Sequence, residues 1–338
     1  MQLVWKKVDL HLRHMFRIAR GARSTVPVVI LELHHDGIIG YGEASPIKRY
    51  GESPETIDVF LKKIDLTPFE SPFMLDAILD TVNSIDAGNS SAKCAIDIAL
   101  HDWIGKKRAL PLYRLWGLDP EKTPKCSFTI AIDSKEVVEQ KVREAEEYPI
   151  LKVKMGLEND EEMISTIRKI TDKVLYVDAN EGWKDKHIAL ERINMLKDRN
   201  VAFVEQPMPA AQLDDLKWLR EHSELPLIAD ESVLRLDDIP KLTEAFDGIN
   251  IKLMKSTGLR EAMRMIEAAR ALNMKVMLGC MIETAVGISA AAHLSPLADF
   301  ADLDGNVLIA NDPFDGVRNI KGELKLHSAP GLGVTPVS

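Results

Sequence analysis

The sequence predicts an α/β protein in which an eight-stranded parallel sheet closes as a barrel and follows a smaller α+β domain. Three observations carry that expectation. Apolar runs recur that each end in a charged residue, and Lys154, Asp178, Glu205, Asp230 and Lys252 follow one another at intervals of 24, 27, 25 and 22 residues. Each interval is about the length of one strand, one helix and two short loops. Segments with helical spacing fill the gaps, and near the start an Asp-Gly between two apolar runs marks a hairpin.

In chain order, residues 26–33 and 38–44 read as antiparallel strands joined at Asp36-Gly37. The flanking stretches 18–24 and 48–53 are rich in cations and glycine and read as mobile surface loops. From Ser53 to about Lys107 the spacing is helical, and Pro111 and Gly117 close the region. Eight candidate strands follow, at 126–132, 150–155, 174–178, 202–205, 227–230, 248–252, 276–280 and 300–304. Helical segments at 160–171, 185–197, 214–222 and 258–272 make the connections right-handed crossovers, and eight such strands close most naturally as a barrel. A further strand is expected near 324–327, with the tail running back onto the first domain. The division is 1–120, completed by 317–338, and a barrel from 121 to 316.

With 338 residues, 46% of them hydrophobic, the chain can bury a large core. Its 43 basic and 52 acidic residues leave a net charge of −9 without a basic cluster, so nucleic acid is not an expected partner. No window approaches the roughly 18 apolar residues of a membrane helix, and Met1 to Lys7 lack an apolar leader, so a soluble cytoplasmic protein is expected. Cys94, Cys126 and Cys280 are odd in number and lack C-x-x-C spacing, which favours buried free thiols. A homo-oligomer is expected only because closed ones are common among soluble proteins.

In such barrels functional side chains gather at the C-terminal ends of strands, where Lys154, Asp178, Glu205, Asp230, Lys252 and Asp304 all fall. Asp178, Glu205 and Asp230 could each merely cap a following helix, but together they form a hard-oxygen set suited to Mg2+. Lys152 and Lys154 alternate along one strand and so share a face, and Lys252 lies four strands further round. Desolvation and a nearby cation would depress such lysines toward the working pH and make them usable bases. Asp302 and Asp304 are again an i, i+2 pair, and two carboxylates suit an ammonium group.

K-x-K, D-x-N, E-Q-P, A-D-E-S and N-I-K-L, in this order, resemble the enolase superfamily in its muconate-lactonizing-enzyme-like subgroup. Residues 18–23, 49–53 and 279–284 further resemble the dipeptide epimerases of that subgroup. The resemblance implies a (β/α)7β modified TIM barrel under an N-terminal α+β capping domain. It implies Mg2+ on Asp178, Glu205 and Asp230, with Asn180 and Glu231 supporting them. Lys154 and Lys252 would be the acid/base pair, inverting the C-terminal residue of a dipeptide by a 1,1-proton transfer through an enediolate. Lys152, Thr129, Met281 and Glu283 would contact the substrate, Asp302 and Asp304 would take its free amino group, and Arg20 and Arg23 a side-chain carboxylate. Lys48 and Arg49 are further candidates for that carboxylate. The expected substrate is thus L-Ala-D/L-Glu from murein peptides. Other dipeptides, muconate cycloisomerisation, N-succinylamino acid racemisation and a small-acid-binding barrel without turnover are the alternatives.

Overall fold

The computed structural model describes residues 1–18 and 21–337. The chain opens with a three-stranded antiparallel sheet, β1 (Gln2–Ile18), β2 (Gly21–His35) and β3 (Ile38–Ala44). The β2–β3 hairpin turns at Asp36 (φ 48°) and Gly37 (φ 71°), the pair of positive φ values that a two-residue turn matching strand twist requires. Three helices follow: α1 (Pro54–Leu61), α2 (Leu75–Ser84) and α3 (Ser90–Arg108). Ser53 starts α1 by accepting the Thr56 N–H at 3.3 Å while Thr56 Oγ1 accepts the Ser53 N–H at 3.0 Å.

Burial explains the layering. Val29, Leu31 and Leu33, alternate residues of β2, pack with Ile57, Phe60, Ile96, Leu100 and Trp103 of the helices. Strand β3 lies directly on the α3 backbone because Gly42 has no side chain, since a Cβ there would meet Ala95 O at 1.9 Å.

The predicted barrel follows. Strands β4 (Phe128–Ile130), β5 (Ile150–Lys154), β6 (Val174–Asp178), β7 (Val201–Glu205), β8 (Leu227–Ala229), β9 (Gly248–Lys252), β10 (Lys275–Gly279) and β11 (Phe300–Asp302) form one parallel sheet in sequence order. It closes where Cys126 bridges Ala301 in parallel and Ser127 N–H donates to Ala301 O at 3.0 Å. The expected helices occupy Asp160–Arg168, Lys186–Leu196, Leu213–His222 and Leu259–Ala271. Cys94 and Cys126 are buried, Cys280 is half-buried, and all three thiols are free.

Two expectations about local structure need correction. The stretch 18–24 is not a loop throughout, because β1 and β2 pair as far as Ile18 and Gly21, which places Ala22, Arg23 and Ser24 inside β2. The composition of one strand cannot reveal the partner that satisfies its backbone. The late strand is only Glu323–Leu324, paired with Asn319–Ile320. After it the tail meets the capping region: Leu112 N–H donates to Gly331 O at 3.1 Å and Leu332 N–H to Asp102 Oδ1 at 2.8 Å. No helix among the described residues is long and apolar enough to cross a membrane.

Candidate active site

Alternation along the barrel strands builds the site in layers. Tyr176 precedes Asp178 by two residues and Phe203 precedes Glu205, so each apolar ring shares the inward face of the carboxylate above it. Tyr176 and Phe203 stack at 4.4 Å between centroids and Phe300 closes on Phe203 at 4.9 Å, forming a dry floor. Lys154, Asp178 and Glu205 then stand side by side in register at the strand ends.

Carboxylate oxygens of Asp178, Glu205 and Asp230 all lie within 4.8 Å of one another, and all three residues are buried. Hard, desolvated oxygen donors at this spacing fit magnesium. Ammonium groups interleave with them. Lys152 Nζ lies 3.2 Å from Asp178, 2.7 Å from Glu205 and 2.8 Å from Asp302. Lys154 Nζ donates to Asp178 Oδ2 at 2.6 Å and Lys252 Nζ to Asp230 Oδ2 at 2.9 Å. Strands β5 and β9 are four apart in a closed ring of eight, so Lys154 and Lys252 approach from opposite sides.

The protein's own charges act on two of these lysines in the opposite sense to the cation that the expectation invoked. Burial lowers Lys252, but Asp230, Glu205 and Asp178 outweigh it and hold the ammonium above its ordinary range. Burial is likewise overcome at Lys152 by Asp302, Glu205 and Asp178. Burial would raise Asp178, whereas Lys154 and Lys152 bring it below the usual carboxylate range. At Glu205 burial and Asp178 prevail and the carboxyl is raised.

Above these groups lies a cavity of about 780 Å3 between barrel and capping region. Lys154, Asp230, Lys252, Asp302, Asp304 and Thr129 line it. Asp302 accepts hydrogen bonds from Lys152 Nζ and from Ser127 Oγ, both at 2.8 Å, and Asp304 Oδ2 accepts the Thr129 N–H at 2.7 Å. Asn180 and Glu231 are joined by a 3.3 Å hydrogen bond and also line the wall, so they border the cavity. Met281 lines it as well.

Lys152 and Glu283 are not among the residues that line the wall. Lys152 is fully buried; one i, i+2 step below Lys154, it lies among the carboxylates of Asp178, Glu205 and Asp302. Glu283 also stays off the wall, because its Oε1 turns back to accept the Met281 N–H at 2.7 Å. From the capping region Arg23, Lys48 and Arg49 all line the cavity, and Arg49 is also paired with Glu181, at 2.6 and 2.7 Å through two nitrogens. Arg20 lies outside the described residues.

Several residues of the site escaped the sequence reading, among them three with polar side chains. Asn250 Nδ2 donates to Glu205 Oε1 at 2.8 Å, Lys255 donates to Asp230, and Tyr50 lines the cavity. Asn250 could have been found, since it precedes Lys252 by two residues and must share its inward face.

This barrel, its capping region and the carboxylate triad at the strand ends define a class. Residues 135–337 match the enolase C-terminal domain-like family and residues 2–117 the N-terminal domain of mandelate racemase / muconate lactonizing enzyme, and the chain belongs to this enolase superfamily. More particularly, it is 50% identical to the L-Ala-D/L-Glu epimerase of Bacteroides thetaiotaomicron, over 100% of this chain and 88% of the relative. The dipeptide epimerase of Enterococcus faecalis, complexed with Mg and L-Leu-L-Tyr, is similar at a TM-score of 0.91 and 34% identity, covering 99% of both chains. A substrate-liganded L-Ala-D/L-Glu epimerase of Bacillus subtilis is similar at a TM-score of 0.94 and 29% identity, covering 100% of this chain and 99% of the other.

Proposed function

We propose that this protein is a magnesium-dependent dipeptide epimerase that inverts the C-terminal residue of its substrate, L-Ala-D/L-Glu being the preferred pair. One observation carries the reading. Two lysines from opposite sides of the barrel flank a buried carboxylate triad, at 2.6 Å from Asp178 and 2.9 Å from Asp230. Inversion at a carbon next to a carboxylate needs a base on one face and an acid on the other.

Asp178, Glu205 and Asp230 would hold the magnesium, which when bound supplies positive charge to the carboxylate of the residue being inverted. Lys154 takes the α proton from one face and the Lys252 ammonium delivers a proton to the other; the reverse reaction exchanges the roles. Lys152 keeps the acid cluster near neutrality. Asp302 and Asp304 receive the free α-ammonium, which muconate and N-succinylamino acids lack. Arg23 and Lys48 border the same cavity and suit a glutamate side chain, while the apolar Phe16, Ile47 and Leu308 would suit a hydrophobic one. A small cytoplasmic dipeptide released from murein is the source that fits, and turnover sets this reading apart from a barrel that only binds.

NMR of L-Ala-L-Glu with the protein and Mg2+ in D2O tests it. Loss of the glutamate α-proton signal with growth of L-Ala-D-Glu is the expected result. Exchange confined to hydrophobic dipeptides would move the specificity to the apolar wall, and silence on every dipeptide would overturn the reading.

A further inference from the structure

Lys255 does not line the cavity, yet it is 3% exposed and points at the carboxylate triad. It lies in a single helical turn, Leu253–Ser256, directly after β9, so it stands one turn on from Lys252. All three donors of its ammonium are spoken for. They go to Asp230 Oδ1, to Asp230 O at 2.6 Å and to Asn250 O at 3.3 Å. Gripping one carboxylate oxygen together with the carbonyl of the same residue fixes the side-chain torsion, not merely the charge. The other oxygen, Oδ2, is thereby turned to Lys252 at 2.9 Å.

We propose that Lys255 is a positioning residue of the metal site: it locks the rotamer of Asp230 so that Oδ2 is presented between Lys252 and the other two carboxylates. This rests on the reading of Asp178, Glu205 and Asp230 as magnesium ligands. Outer partners that orient ligands commonly account for 10- to 100-fold, order of magnitude, in metal affinity. Burial also makes the arrangement obligatory, since an ammonium in this setting must have every donor satisfied. A lysine serving only to fill the core would make no contact to a carboxylate of the triad, whereas one of the three Lys255 donors goes to Asp230 Oδ1.

Calorimetric titration of the full chain with Mg2+ tests the inference, using Lys255→Met, which keeps the length and removes the donors. The expected result is a Kd for Mg2+ raised about 10-fold or more, measured well below the melting temperature of the variant. Its loss of epimerase activity should be recovered at high Mg2+, and Lys255→Arg should lie between variant and wild type. If Lys255→Met does not fold, Lys255→Gln, whose amide has two donors for the three acceptors that Lys255 fills, should show a smaller rise in Kd in the same titration, and a wild-type Kd there would overturn the proposal. A variant that binds Mg2+ like wild type and only melts earlier would reduce Lys255 to a structural role and overturn the proposal. Failure of the wild-type chain itself to bind Mg2+ would instead bring down the reading of the triad, and this inference with it.

Discussion

Asp97 of α3 accepts the Leu259 N–H on Oδ1 at 2.8 Å, and thereby a residue of the capping region caps a helix of the barrel. Its Oδ2 takes the next amide, Arg260 N–H, at 3.2 Å. Glu43 of β3 does the same for the helix Ala285–Leu294, accepting Thr284 N–H at 2.9 Å and Gly287 N–H at 2.9 Å. Helix termini leave donors that need partners, and an acid there also meets the positive end of the dipole. The two regions that enclose the cavity are therefore joined by charge as well as by apolar contact. Asp97→Ala should destabilise the chain by about 2 kcal/mol, read from the urea midpoint at constant m-value. A shift below a few tenths of that would mean water replaces the cap.

Lys154→Ala and Lys252→Ala should each lower the rate of interconversion by about 10^2- to 10^4-fold. Because the two ammonium groups approach from opposite sides, each variant should still exchange the α proton of one diastereomer in D2O and lose exchange of the other. Proton NMR of both diastereomers checks this. Wild-type interconversion in either variant would remove that lysine from the reaction.

Gly279 on β10 is glycine because Asn250 occupies its space: a Cβ would lie 2.5 Å from Asn250 Oδ1. Asn250 is fully buried and holds Glu205 through Nδ2 at 2.8 Å, so it cannot yield without releasing that carboxylate. Gly279→Ala should therefore cost about 1–3 kcal/mol of stability and weaken Mg2+ binding as well. Urea unfolding together with Mg2+ titration separates the two effects. Loss of stability with unaltered Mg2+ affinity would show that Asn250 does not position Glu205.

His293 supplies a pH dependence remote from the site. Its Nε2 lies 3.2 Å from Leu332 O and its Nδ1 accepts the Tyr113 N–H at 3.4 Å, so only the neutral Nε2–H tautomer satisfies both partners. Burial pushes its pKa down to about 4 from 6.5. The unfolded chain thus binds this proton first as pH falls, and the stability it contributes is full above 6.5 and lost progressively toward 4. The loss is about 3 kcal/mol by linkage. Urea unfolding between pH 7.5 and 4.5 should be less steep in pH for His293→Gln than for wild type; equal slopes would exclude His293 as a cause.

The barrel, the inward carboxylates and the pair Lys154 and Lys252 were legible in the sequence. They follow from two periodicities that act locally: alternation decides which side chains share a face, and the recurring strand-helix length decides where each strand ends. The hairpin at Asp36-Gly37 was legible for the same kind of reason, since its φ values are a property of two adjacent residues. Depth and partnership were decided only by the tertiary structure. Lys152 differs from Lys154 by one step along β5, yet that step carries it from the cavity wall to a fully buried ion cluster. Arg49 looked like a free surface cation until Glu181, from a loop 132 residues away, claimed it. Glu283 turned to the Met281 backbone, and Lys255, from the helical turn after β9, reached Asp230 beside the end of β8. Such choices depend on which distant groups compete for each charge once water is excluded, and that competition exists only when the barrel has closed.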